Sequence, residues 1–192
     1  MEPGTELINI HAALPSSRVN GPGKRMVVFF QGCSRSCPGC FNAGTHSFEP
    51  KRLYNAREVF ERFFDASVEG VTVSGGEPFA QAEGLLGLLK EAVDRGLTTV
   101  VYTRFMMEEL IENPAAKDAL GLIDVLVDGP FRADEPEATL LARGSANQRF
   151  HFLTHRYGLA DFHMQGKLEV IIGKDGDVIE TGCSRLTVLQ RV

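Results

Sequence analysis

Residues 31–43, QGCSRSCPGCFNA, hold Cys33, Cys37 and Cys40, three of the chain's four cysteines, in the spacing C-x3-C-x2-C. Thiolates this close together are donors for zinc or an iron–sulfur cluster, or partners in a redox disulfide. A structural zinc site takes four ligands, and His46 is near enough in sequence to complete a Cys3His set. Cys37-Pro38-Gly39-Cys40 also has the C-x-x-C form of thioredoxin-type dithiols, in which a helix N-terminus lowers the pKa of one thiol. That chemistry has no use for Cys33. Three thiolates can also hold three irons of a 4Fe–4S cube and leave the fourth iron open. Such an iron is a Lewis-acidic position for a small chelating molecule, much as catalytic zinc keeps a position for water or substrate.

A second segment able to do chemistry is Ser74-Gly75-Gly76-Glu77-Pro78. Glycines at 75 and 76 let backbone approach a ligand with no β-carbon in the way. Glu77 can accept a charge-assisted hydrogen bond from an ammonium group or anchor the loop. The plainer reading is a tight turn followed by a helix that starts at Glu-Pro.

The elements that position these segments alternate. Residues 25–31 form a β-rich apolar run that ends at the cysteines, and residues 70–74 and 97–102 are two more short strands. Residues 122–127 form a fourth, ending at Asp128-Gly129-Pro130. Helical spacing is predicted over 55–66, with Asn55 as N-cap and Val59, Phe60, Phe63 and Phe64 on one face. It recurs over 79–95, where Leu85, Leu86, Leu88, Leu89 and Val93 repeat and Gly96 stops the helix. A further helix over 106–112 is closed by Asn113-Pro114. Residues 133–148 read as irregular and polar, and 150–156 are ambiguous. Residues 167–172 are a strand that Asp175-Gly176-Asp177 turns into a hairpin with 178–180. Repeated βα units imply a parallel sheet. QGCSRSC, SGGEP, YTR and DGP then all fall at strand carboxyl ends, where α/β proteins build their sites.

At 192 residues and 43% hydrophobic content, the chain is sized for one globular domain. A net charge of −5, with Lys and Arg scattered, is not the footprint of a nucleic-acid binder. The start MEPGTELINI has no basic region followed by an apolar one, and no apolar run approaches the roughly 20 residues needed to span a bilayer. The expected setting is cytoplasmic, without membrane or nucleic-acid partners. In a reducing compartment, clustered cysteines serve metal or redox chemistry.

C-x3-C-x2-C after one strand and Ser74-Gly75-Gly76-Glu77-Pro78 after the next resemble the radical S-adenosylmethionine superfamily. Residues 19–25 (VNGPGKR), 31–42 (QGCSRSCPGCFN), 73–79 (VSGGEPF), 123–131 (IDVLVDGPF) and 143–150 (RGSANQRF) narrow the likeness. They are similar to the anaerobic ribonucleotide-reductase activating proteins, which are activases of glycyl-radical enzymes. The resemblance implies a partial parallel (βα) barrel over residues 19–150, within a single domain 1–192 whose C-terminal extension, 157–192, ends in the hairpin. It implies that Cys33, Cys37 and Cys40 ligate a 4Fe–4S cluster, and that S-adenosylmethionine chelates the open iron through its amino and carboxylate groups. Gly39, Phe41, Gly75, Gly76, Glu77 and Asp128 would contact that ligand. The wider superfamily usually has an aromatic residue at the position of Gly39, whereas C-P-G-C is what the reductase activases show.

The implied reaction is one-electron reductive cleavage of S-adenosylmethionine to methionine and a 5′-deoxyadenosyl radical. Hydrogen is then abstracted from a glycine Cα of the partner, with electrons arriving from a flavodoxin or ferredoxin. Many members have glycine where Arg104 stands, and some activases have aspartate where Tyr102 stands. The task of residues 143–149 divides between partner docking and loop bracing. His46, His151, His155 and His163 read as non-ligands, and Cys183 as a small unpaired residue. Two alternatives are a related radical enzyme acting on another protein, peptide or glycyl-radical enzyme, and, in a different class, a zinc-stabilised binding module.

Overall fold

The computed structural model describes residues 6–164, 168–172 and 178–182. Seven strands form one open sheet: β1 (Ile8–Ser17), β2 (Arg25–Phe30), β3 (Leu53–Tyr54), β4 (Gly70–Gly75), β5 (Thr98–Tyr102), β6 (Val125–Asp128) and β7 (Arg149–Phe152), in the order β3-β1-β2-β4-β5-β6-β7. The four central strands, β2-β4-β5-β6, pair in parallel. β1, β3 and β7 flank them antiparallel. The architecture is mixed α/β with a mostly parallel core. The sheet does not close into a barrel among the described residues.

Both faces of the parallel strands are covered, which is why RMVVFF and GVTV read as near-continuous apolar runs rather than alternating ones. Alternate residues Met26, Val28, Phe30, Val71, Val73, Val101 and Leu126 join the larger core with helices α1 (Ala56–Phe63), α2 (Ala82–Asp94), α3 (Met107–Ile111) and α4 (Pro114–Leu120). Val100, Val125 and Val127 point the other way, against Leu141, Phe162 and Met164 from the polypeptide that follows β6. This second cluster includes no residue of α1 to α4.

Helix α1 starts at a capping box. Asn55 accepts from the Glu58 amide at 3.0 Å, and Glu58 accepts from the Asn55 amide at 2.8 Å. The helix ends at Phe63, so Phe64 lies outside the predicted face and is 38% exposed. On α2, Ala92 rather than Val93 completes the buried stripe of Leu85, Leu88 and Leu89, because a 3.6-residue period from 85 and 88 lands on 92. Asn113-Pro114 ends one helix as expected and also opens α4. The Asn113 side chain accepts from the Ala115 amide at 3.0 Å, with Pro114 at the first helical position.

Two strands, β1 and β3, are absent from the sequence reading, and β7 resolves its ambiguous segment. In the C-terminal segment, β8 (Leu168–Ile172) and β9 (Val178–Gly182) pair antiparallel, from Leu168 opposite Gly182 to Ile172 opposite Val178. The predicted turn at 175–177, residue 167 and Cys183 lie outside the described residues.

Arg25 is fully buried at the start of β2. Its guanidinium donates to the carbonyls of Pro22, Val71 and Thr98, to the hydroxyls of Thr72 and Thr98, and to Tyr157. Burial lowers its pKa, with Tyr157 opposing. These contacts tie three parallel strands to the later segment at the end of the sheet where β2 begins.

Candidate active site

A cavity of about 440 Å³ opens at the carboxyl ends of the parallel strands. Cys33, Cys37 and Cys40 line it, together with Gly75, Gly76 and Arg104. All three cysteines are partly exposed. Among the described residues, no three His, Cys, Asp or Glu side chains already converge at metal-binding separation. Three thiols facing one cavity nonetheless have the donor chemistry of an iron–sulfur site.

The cysteine loop is built on backbone contacts. The Gly32 amide donates to the Thr45 carbonyl at 2.7 Å and the Cys33 amide to the His46 carbonyl at 3.1 Å, so residues 42–46 return alongside its root. Gln31 donates through Nε2 to the Ser47 carbonyl at 2.7 Å, extending that clasp. Within the loop, the Cys40 amide donates to the Cys37 carbonyl at 3.1 Å. Gly39 takes φ +71°, and a β-carbon there would lie 3.2 Å from that of Ala133, a contact tighter than ordinary packing. An aromatic residue at this position would have to displace its neighbours. Burial pushes the Cys33 thiol pKa up; the hydrogen bond to the Arg35 carbonyl opposes it, the Glu77 charge adds to it and the Arg104 charge opposes it.

The SGGEP loop meets the cysteine loop main chain to main chain. The Gly76 amide donates to Phe30 and the Glu77 amide to Gly32, each at 2.8 Å. A β-carbon on Gly75 would fall 2.5 Å from the Phe30 nitrogen, and one on Gly76 would fall 2.3 Å from the Gly32 oxygen. The glycines therefore serve close backbone packing as well as an open cavity wall. Glu77 is fully buried and turns inward. It accepts from the Phe79 amide at 3.0 Å, the Thr103 hydroxyl at 2.8 Å and the Arg104 amide at 2.9 Å. Burial raises its pKa against the pull of those three donors. Of the two roles the sequence allows Glu77, loop anchoring is the one this geometry displays.

Phe41 packs on Phe131, ring centroids 4.9 Å apart, and both rings line the cavity. Asp128 is fully buried and is not among the cavity-lining residues. Its carboxylate accepts from the Met107 amide at 2.7 Å and from Arg149, whose guanidinium also reaches Glu108. His151 Nε2 lies 2.9 Å from the same carboxylate, an ion-pair distance without hydrogen-bond alignment. Burial works to raise the Asp128 pKa, but Arg149, the Met107 amide and His151 bring it below the ordinary carboxylate value.

Residues 143–149 brace the loop after β6. Gln148 accepts from the Gly144 and Ser145 amides and donates to the Gly129 carbonyl at 3.0 Å, while Asn147 donates to Pro130 at 2.8 Å. Sequence reasoning missed one wall of the cavity altogether. Glu180, Thr181 and Gly182 of β9 line it, and Asn20 donates to the Thr181 hydroxyl at 2.9 Å. On β8, Glu169 accepts from Ser17 and from the Arg18 amide, fixing the pair of strands to the rim. No local motif signals this placement; Asn20 meeting Thr181, and Ser17 and Arg18 meeting Glu169, across the fold reveal it.

The family described as 4Fe-4S single cluster domain matches residues 19–151. The anaerobic ribonucleoside-triphosphate reductase-activating protein of Escherichia coli (strain K12) is 34% identical over 155 residues, covering 76% of this chain and 99% of that protein. The protein of the same description from Vibrio cholerae is 33% identical over 158 residues, covering 77% and 99%. A pyruvate formate-lyase-activating enzyme from Clostridium pasteurianum is 39% identical over 100 residues, covering 49% of this chain and 42% of the enzyme. Cysteine loop, glycine loop and matches together define a radical S-adenosylmethionine activase that uses a single 4Fe–4S cluster. The chain belongs to the family of the anaerobic ribonucleoside-triphosphate reductase-activating proteins. That membership favours the cluster over the zinc and dithiol readings of the same cysteines.

Proposed function

We propose that this chain generates a glycyl radical on an anaerobic ribonucleoside-triphosphate reductase. The observation that carries the reading is the direct backbone joint between the glycine loop and the cysteine loop, with three thiols facing the cavity they border. Cys33, Cys37 and Cys40 hold the 4Fe–4S cluster. When bound, the cluster would supply the one-electron reductive cleavage of S-adenosylmethionine that hydrogen abstraction from a glycine of the partner requires.

The chain's own residues orient and shield. Gly75 and Gly76 present a wall without side chains to the methionine end of the ligand. Gly39 and Phe41 flank the third thiol, and the Phe41–Phe131 pair limits water beside it. Glu77 and Asp128 act from behind, the first by holding the loops of β4 and β5 in register, the second by holding the loop after β6 against α3. The open parallel sheet then reads as a partial (βα) barrel, in a single domain that works in the cytoplasm and takes electrons from a flavodoxin or ferredoxin. Among the described residues, no helix is long and apolar enough to cross a membrane.

The β9 wall favours a second possibility for the target. A segment that closes the cavity can select the polypeptide that enters, so another glycyl-radical enzyme, or another protein or peptide, is the competing substrate. Anaerobic reconstitution, dithionite reduction with S-adenosylmethionine and assay of 5′-deoxyadenosine test the chemistry. The expected result is product that vanishes on changing any of the three cysteines to Ala. A glycyl-radical signal on added reductase tests the target; cleavage without that signal would move the assignment to the second reading.

A further inference from the structure

We infer that Arg104 is a positioning residue for the anionic end of the cavity's ligand, the carboxylate of S-adenosylmethionine. The inference rests on the function proposed above and deepens it. Arg104 directly follows the Thr103 that binds Glu77, and its own amide donates to Glu77 at 2.9 Å, so the backbone is fixed where the side chain departs. The side chain lines the cavity beside the three thiols. Nη2 donates to Ser34 Oγ at 3.0 Å, and the guanidinium carbon stands 4.1 Å from the centroid of the Phe105 ring. Thus one end of the cysteine loop is strapped to the end of β5.

That strap leaves donors over. A guanidinium carries five N–H groups, and Nε of Arg104 is buried with no hydrogen-bond partner among the described residues. The ion pairs among those residues do not include Arg104 either. A buried donor without a partner is costly, and a planar fork of donors matches a carboxylate better than any other small anion except phosphate.

The test is equilibrium binding to the reconstituted holoenzyme, without reductant, of S-adenosylmethionine and of its decarboxylated analogue. Arg104→Gln is expected to weaken S-adenosylmethionine roughly tenfold or more, the effect of losing one charge-assisted hydrogen bond, and to change the analogue less than about twofold. Arg104→Lys should recover part of the loss, because it restores charge without the fork. Ser34→Ala removes the strap and keeps the guanidinium, and should leave the preference for the carboxylated ligand intact. Equal losses for both ligands in Arg104→Gln, or none, would overturn the inference and leave Arg104 a purely structural strap. A wild-type holoenzyme that binds neither ligand would remove the proposed function itself, and the inference with it.

Discussion

A β-carbon on Gly76 would stand 2.3 Å from the carbonyl oxygen of Gly32, the residue immediately before the first cysteine of the cluster motif. The two loops that chemistry requires together are thus in main-chain contact. Gly76→Ala must push that contact apart, a backbone clash that no rotamer relieves, at a cost of about 1–3 kcal/mol. Iron bound after reconstitution should fall well below the wild-type amount, while the far-UV spectrum stays that of a folded α/β protein. Full iron loading in the variant would show that the contact is not needed to shape the site.

Glu77 supports the same joint from beneath. Glu77→Gln turns an amide NH2 toward donors that now meet a carboxylate oxygen, leaving one of three buried donors unmatched. Urea unfolding of the metal-free protein should register a loss of about 1–3 kcal/mol. Because the clash is local, the denaturant slope should not change.

Asp128 predicts a pH dependence of stability. Its folded pKa lies below the ordinary 3.8, so the unfolded chain binds its proton at higher pH than the folded one does. Its contribution is fully present above that ordinary value and is lost as pH falls through the lower, folded value. The stability difference between wild type and Asp128→Asn should therefore shrink as pH is lowered from 6 toward 3. A difference that stayed constant over that range would mean that the Arg149 and Met107 contacts do not favour the charged form.

Asn20 and Thr181 hold the β9 wall against the body of the protein, 2.9 Å apart. Thr181→Val keeps the shape and removes the acceptor, a change of about 1 kcal/mol confined to this contact. Amide exchange over 178–182 should quicken several-fold, and oxygen should bleach the reconstituted cluster faster. Unchanged exchange would place the wall's attachment elsewhere, with the Glu169 contacts to Ser17 and Arg18 as the remaining candidates.

Much of the site was legible before the fold was known. C-x3-C-x2-C and SGGEP are compact signals because metal ligation and close backbone approach each restrict residue type at fixed spacing. The central strands were legible too, since strands buried on both faces read as unbroken apolar runs. β1 was hidden because it mixes Pro15 and polar residues into an antiparallel strand with irregular register against β2. α4 was hidden because Pro114, read as the end of one helix, is equally the start of another.

By itself the sequence determined the chemistry on offer: three soft ligands, a glycine loop and the alternation of elements that carries both to the same end of a parallel sheet. Tertiary structure decided what surrounds them. It turned Glu77 inward to three donors, gave Asp128 to Arg149 rather than to the cavity wall, and brought Glu180, Thr181 and Gly182 to the cavity through a contact between Asn20 and Thr181, 161 positions apart in the chain. The physical reason is range. Ligand spacing and strand periodicity are properties of neighbouring residues, whereas the partner of a buried carboxylate and the wall of a cavity are set by chain segments that meet only when the whole sheet has packed.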